Sequence, residues 1–357
     1  MRKYLTKVLL FFTPIIFLQI FTMLFYSTDK GDLLRHGYII DFSAYKPVFA
    51  EEFQRKIYFD KISNINLNAK NKYTGLTIGD SFSEQGEFGY INYLAKNANI
   101  NILHFDKFLN HNPIETLYGI LNGDLLDNLK VDYIILQSVE REFVNNINKL
   151  DRNKILFNES LVKEIKGQKI KIDNESVIDK LFSERIFKFP LYNVLYFFDE
   201  NAYISQTYKV KTTQNLFSDK NNELLFYFGD LENIETNNKI ELVIKLNQEL
   251  NILSNKMKVR GINLIVLPSP DKFDFYYDYI VNKKKYLRPL FFEHLENMPK
   301  DYLYIDSKKI LKSEMRDKKD IYFYDDTHWS PWASKVIAIE LAKILNKKHI
   351  IAVKIEK

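Results

Sequence analysis

Apolar and polar positions along the 357-residue chain fall into three regimes. The first is a near-continuous apolar run over residues 8–26, broken only by Thr13, Pro14, Gln19 and Thr22. Roughly 19 residues of helix reach about 28 Å, close to the hydrocarbon thickness of a bilayer. The second regime, about 28–70, mixes polarity without a clean period and reads as a stalk with short elements. The third is regular. Short β-rich apolar runs recur at 73–78, 101–105, 131–136, 263–267 (stopped by Pro268) and 302–306. Helical spacing fills the intervals at about 84–96, 114–126 and 238–258, and a last helix opens after Ser330-Pro331, an N-cap followed by proline at the first helical position. Such alternation predicts an α/β fold: a doubly wound, mostly parallel five-stranded sheet in a three-layer sandwich. Ligands of such sheets bind at the carboxyl ends of the strands.

The stretch 151–239 interrupts this rhythm. It is rich in Lys, Asn and aromatics, among them Phe182, Phe187, Phe189, Tyr192, Tyr196, Phe197 and Phe198. It reads as an inserted cap or substrate-binding region, with a plain packing insertion as the alternative.

Arg2, Lys3 and Lys7 precede the apolar run, and Met23-Leu24-Phe25-Tyr26 is bulky where a cleavage site needs small residues. We read residues 1–27 as an uncleaved signal anchor in the inner (cytoplasmic) membrane, spanning through 8–26. A cleaved signal and a buried helix are the alternatives. The remainder then lies outside that membrane, periplasmic or extracellular. Of 51 basic residues against 46 acidic ones (net +5), three precede the span, leaving 48 against 46 beyond it. The net charge is therefore mainly a topology signal, and gives no argument for nucleic acid. The complete absence of cysteine excludes disulfides, thiolate metal sites and a thiol nucleophile. Eleven glycines are too sparse for phosphate-cradling loops, whereas 28 Phe and 23 Tyr suffice for an aromatic cleft.

Covalent chemistry then falls to serine. The first strand of the regular region ends in Gly79-Asp80-Ser81-Phe82-Ser83. A serine where a strand turns into a helix carries its hydroxyl at the cleft mouth, with backbone N–H groups facing a developing oxyanion. A helix N-cap is the bland alternative. The serine needs a base, and that base a carboxylate on its other nitrogen. Among six histidines, only His328 sits beside a carboxylate, a tryptophan and a helix start, in Asp325-Asp326-Thr327-His328-Trp329-Ser330-Pro331. His104, Asp106 and His111 are close in sequence, but nothing fixes them on one face, so no metal site is expected. Lys283-Lys284-Lys285 reads as a solvated loop, with attraction of an acidic glycan as the alternative.

Gly79-Asp80-Ser81-Phe82-Ser83 resembles the first block of the SGNH (GDSL-type) hydrolases. Asp326-Thr327-His328-Trp329 resembles their sugar O-acetyltransferase branch, typified by the periplasmic alginate O-acetyltransferases. General SGNH spacing, Asp-x-x-His, nominates Asp325 as triad acid; the acetyltransferase spacing, Asp-x-His, nominates Asp326, which Thr327 and Trp329 favour. Leu267-Pro268-Ser269-Pro270-Asp271-Lys272 with Tyr276 and Tyr277, and Glu140-Arg141, are similar to further segments of that branch. The resemblance spans about 71–150 and 240–357. Two features depart from it. Ser81 precedes the Asp-x-His motif, whereas in the alginate enzymes it follows. The oxyanion glycine and asparagine also have no counterpart in Asp106-Lys107-Phe108-Leu109-Asn110 or Gln137-Ser138-Val139-Glu140. Arg141 is a candidate donor, weighed against a structural ion pair; Phe82, Lys272, Tyr276 and Trp329 are candidate substrate contacts.

The resemblance implies a Ser81–His328–Asp326 triad without cofactor or metal, moving acetyl groups onto a glycan acceptor. It also implies a multi-pass membrane acyltransferase as acetyl donor. A carbohydrate esterase with the same triad and a non-catalytic assembly factor are the rival expectations.

Overall fold

The computed structural model describes residues 2–26, 30–41, 49–168 and 185–355. Phe182 of the aromatic stretch lies outside the described residues. The apolar run forms α1, Arg2–Phe25, in which Thr6–Phe25 is long and apolar enough to cross a membrane.

The central sheet has six strands rather than five: β1 (Asp60–Lys61), β2 (Asn71–Ile78), β3 (Ile102–Phe105), β4 (Leu129–Val139), β7 (Asn263–Ser269) and β8 (Leu303–Tyr304). Their order is β1-β3-β2-β4-β7-β8, and every pairing is parallel. The extra edge strand β1 comes from the segment expected to be a stalk. Its two residues carry no apolar run, so the sequence pattern does not show it. A separate antiparallel ribbon pairs β5 (Thr207–Lys211) with β6 (Glu223–Tyr227).

Strand alternation builds a core on each face, the three-layer arrangement. Tyr133 and Ile135 of β4 join Ile265 and Leu267 of β7 in one core, closed by α3 (Tyr90–Ala98) and the C-terminal helix Pro331–Ile355. Ile134, Leu136, Leu264 and Val266 point the other way, with Leu76 and Ile78, under α4 (Pro113–Asn122) and the helices Glu140–Asn148 and Ile240–Val259. Each such aliphatic side chain contributes about 1.5–3 kcal/mol on burial. Pro268 does not stop β7. Residues 266 and 268 face the same neighbour, and β8 ends opposite Val266, so the donor that proline lacks has no ladder partner to satisfy.

The first core also takes in parts expected to lie outside it. Leu224, Leu225 and Phe226 of β6 are buried there, and so are Leu33 and Leu34 of α2, Asp32–Gly37. α2 is thus packed against the sheet domain, where the sequence pattern suggested a stalk. The turns that carry Ser81, Arg141 and Lys272 follow the carboxyl ends of β2, β4 and β7, whereas the Asp325–Trp329 loop comes after the helix Ser307–Glu314 and Asp32 lies on α2, ahead of β1.

Candidate active site

β2 runs into a single 3-10 turn, Ser81–Ser83. Asp80 shapes it: one carboxylate oxygen accepts from Phe82 N–H at 2.9 Å, the other from Val139 N–H at 2.5 Å. Asn110 Nδ2 donates to the Gly79 carbonyl at 2.8 Å. Gln137 Oε1 accepts from Asp80 N–H at 3.1 Å and from Ser83 Oγ at 2.9 Å. Gly79 is fixed by this close approach, because a Cβ there would stand 2.1 Å from Ser83 Oγ. Phe82 N–H is consumed by Asp80. Neither the N–H nor the hydroxyl of Ser81 donates a hydrogen bond among the described residues.

Facing this turn is a backbone loop closed by a Tyr322–Trp329 bridge and by Ser330 N–H donating to Ile321 O at 2.9 Å. Lys272 fills the loop from below. Its Nζ donates to the carbonyls of Phe323 (2.7 Å), Tyr324 (2.8 Å) and Asp326 (3.1 Å), matching the three donors of an ammonium. Burial pushes this lysine down to about 7, against the pull of Asp32, Asp325 and Asp326.

His328 Nδ1 lies 2.5 Å from Asp326 Oδ1, which also accepts the His328 N–H at 3.0 Å. With Nδ1–H on the carboxylate, Nε2 is the free acceptor. Nε2 is buried and has no partner among the described residues. The imidazole packs on Phe82, the neighbour of Ser81, at 4.9 Å between ring centroids. Burial disfavours the imidazolium, but Asp326, then Asp32 and Asp80, outweigh it, and His328 is raised above its ordinary value. Asp326 is also pushed up by burial, and His328 overrides this to hold it well below the usual carboxylate range.

Asp32, which the sequence did not single out, completes the loop. Its carboxylate accepts from Thr327 N–H at 2.9 Å and Thr327 Oγ1 at 2.6 Å, and approaches His328 Nδ1 to 4.0 Å. Its own N–H donates to Asp326 Oδ2 at 3.2 Å. The preceding Gly31 N–H donates to Asp325 Oδ2 at 2.8 Å, and a Cβ on Gly31 would fall 2.1 Å from the Asp325 carbonyl oxygen. No motif surrounds Asp32; an acidic residue opening a short helix is ordinary first-turn chemistry.

Ligand atoms of Asp32, Asp326 and His328 lie within 4.8 Å of one another, a spacing that a metal also accepts. The oxygens are already occupied by N–H and O–H donors, however, which favours a proton-handling site over a cation site. His104 is likewise engaged on both sides, with Nδ1 2.8 Å from Thr77 Oγ1 and Nε2 3.1 Å from Glu84 Oε1.

Among known families, the model of the SGNH hydrolase-like domain of the acetyltransferase AlgX matches residues 225–356. Over this stretch the chain is similar to an SGNH hydrolase-like domain of the AlgX type. The match takes in Lys272, Asp325, Asp326, His328 and Trp329 and leaves Ser81 outside. No curated protein and no solved structure gives a significant match.

The residues shared with the AlgX-type pattern split into two groups. Asp326 and His328 face the Gly79–Ser83 turn. Several others, expected as substrate or oxyanion contacts, are structural. Arg141 pairs through Nη1 with Asp271 and, at 3.2 Å, with Asp230, which favours the structural ion pair. Burial would lower the guanidinium pKa, yet Asp271 and Asp230 hold it charged. Lys272 is sealed beneath the loop, and Tyr276 is buried against Phe217 and Tyr322. Trp329 is fully buried, 5.1 Å from Phe82, and Phe82 itself is a wedge between Tyr322, His328 and Trp329. These side chains became candidates through motif position, which marks what holds the loop as readily as what touches a ligand. The aromatic insert divides in the same way: Phe189 and Tyr192 face inward, and Tyr192 meets Tyr38 at 5.2 Å.

Proposed function

We propose that the chain is an SGNH-type O-acetyltransferase working through a Ser81 acyl-enzyme. One observation carries this reading: a histidine clamped through Nδ1 on Asp326, with a buried, unpartnered Nε2 beside the turn that presents Ser81. In the first half-reaction Ser81 Oγ attacks an acetyl ester and passes its proton to His328 Nε2. The tetrahedral oxyanion meets the unused Ser81 N–H, and the leaving oxygen takes the proton from His328. A sugar hydroxyl then gives its proton to the same Nε2 and attacks the acyl-serine, and Ser81 Oγ leaves with the proton returned by His328. Asp326 holds the tautomer and offsets the imidazolium charge throughout. Asn110 and Gln137 are engaged with the turn, so they brace Gly79 and Asp80 rather than bind the oxyanion.

In this reading α1 anchors the protein in the inner membrane, the acceptor is an exported or cell-surface glycan, and a multi-pass membrane acyltransferase delivers acetyl groups from inside. The full-length protein, incubated with an acetyl ester and a glycan, should transfer acetyl to the glycan and label with a fluorophosphonate at Ser81. Ser81→Ala should abolish both. Release of acetate without glycan acetylation would assign an esterase, and an unlabelled Ser81 would remove the catalytic reading altogether.

A further inference from the structure

The helix Arg185–Leu195 is two-faced. Ile186, Phe189 and Tyr192 are buried, whereas Phe187, Leu191 and Val194 lie on the opposite side, each more than half exposed. Residues four and three apart form one stripe on a helix, so these three side chains are continuous. The stripe runs on into Phe197 and Phe198, 86% and 75% exposed, and then into a turn that displays Tyr203 and Ile204. That turn is held against its own preference: Ala202 and Tyr203 both have positive φ, with Tyr203 N–H tied to Asp199 Oδ2 at 2.7 Å. Solvent-exposed apolar surface of this extent on a soluble face marks an interaction site.

Its position identifies what it meets. The buried face of the same helix packs on the outer end of α1: Phe189 lies 6.2 Å from Phe21 and 5.8 Å from Tyr26. The Arg185 guanidinium sits over the Tyr26 ring at 5.2 Å. A tyrosine closing an apolar span, paired with an arginine, is the arrangement of a headgroup boundary. The stripe therefore leaves the protein at the level where a membrane-crossing α1 emerges.

We infer that the stripe from Phe187 to Ile204 is a second membrane contact, lying in the outer-facing headgroup and upper acyl region beside α1. This rests on α1 being a bilayer anchor. A helix with one apolar face lies in the interface plane and fixes orientation that a single span leaves free. The docked stripe thus sets the azimuth of the active-site loop, to which α1 connects through α2.

The chain lacks cysteine, so single cysteines report unambiguously. Full-length L191C, F197C and I204C, with L10C in α1 and the 89%-exposed V259C as references, are labelled with a fluorophore. They are then reconstituted in 3:1 phosphatidylethanolamine–phosphatidylglycerol vesicles. Quenching by shallow spin-labelled lipid is compared with quenching by aqueous iodide. The inference expects lipid quenching at 191, 197 and 204, with iodide accessibility at least threefold below that of 259. Iodide access equal to that of 259 while L10C remains lipid-quenched overturns the stripe and leaves the anchor standing. Loss of lipid quenching at L10C overturns the anchor instead. Protection from iodide without lipid quenching assigns the stripe to a protein contact and also overturns the inference.

Discussion

Asp325 and Asp326 are neighbours with different duties. Asp326 holds Nδ1 of the candidate base, whereas Asp325 accepts the Gly31 N–H and carries an upward shift from burial. Asp326→Asn should therefore cost about 10⁴-fold in kcat, the scale of a histidine left in the wrong tautomer. Asp325→Asn should cost far less, and steady-state kinetics of both variants read the difference. His328 must be neutral to act as base, and Asp326, Asp32 and Asp80 raise it, so the acidic limb of kcat/KM should lie above the ordinary imidazole value. The linked stability has the opposite sign. It is fully present below the unfolded pKa of about 6.5 and is lost as pH rises through the folded one. Asp32→Asn should move the acidic limb to lower pH with a smaller loss of kcat than Asp326→Asn, and an unmoved limb would reduce Asp32 to scaffolding. Lys272→Met orphans three carbonyls and should destabilise the fold by about 3–5 kcal/mol in denaturant titration. As candidates, Ser81, Asp326 and His328 stand out in the sequence because each sits in a local pattern: a strand-to-helix turn, or an Asp-x-His before a capped helix. Asp32 was not, because its partner lies almost 300 positions away and nothing near it announces chemistry.

The elements show a similar division. Strands buried on both faces read as apolar runs, and the structure places β2, β3, β4, β7 and β8 where those runs occur. β1 is two residues long, and α2 is six, too short for any period to register. Yet α2 carries Asp32 into the loop, and Leu33 and Leu34 pin it to the core. Gly31→Ala should test this element directly. The added Cβ collides with the Asp325 backbone, so acyl transfer should fall at least tenfold while cooperative unfolding of the two cores is retained, as followed by circular dichroism. A proportional loss of both would mean that α2 is part of the global fold and not a clamp on the loop.

At the scale of the molecule, a single sheet carries two cores on its faces, and the Ser81 turn at the end of β2 meets the loop before the C-terminal helix at one edge. The connection from α1 to that edge is short. Tyr26 touches Phe189, and Gly31 and Asp32 are already bonded to the loop. Five residues reach at most about 18 Å. A catalyst on a long flexible linker sweeps a volume and meets polymers at any height above the bilayer. If α1 is the bilayer anchor proposed above, a domain held on so short a lead works within a thin layer at the membrane surface. For an anchored acetyltransferase this sets the timing: a chain is modified while it is being delivered through that layer, and once it has moved outward it is out of reach.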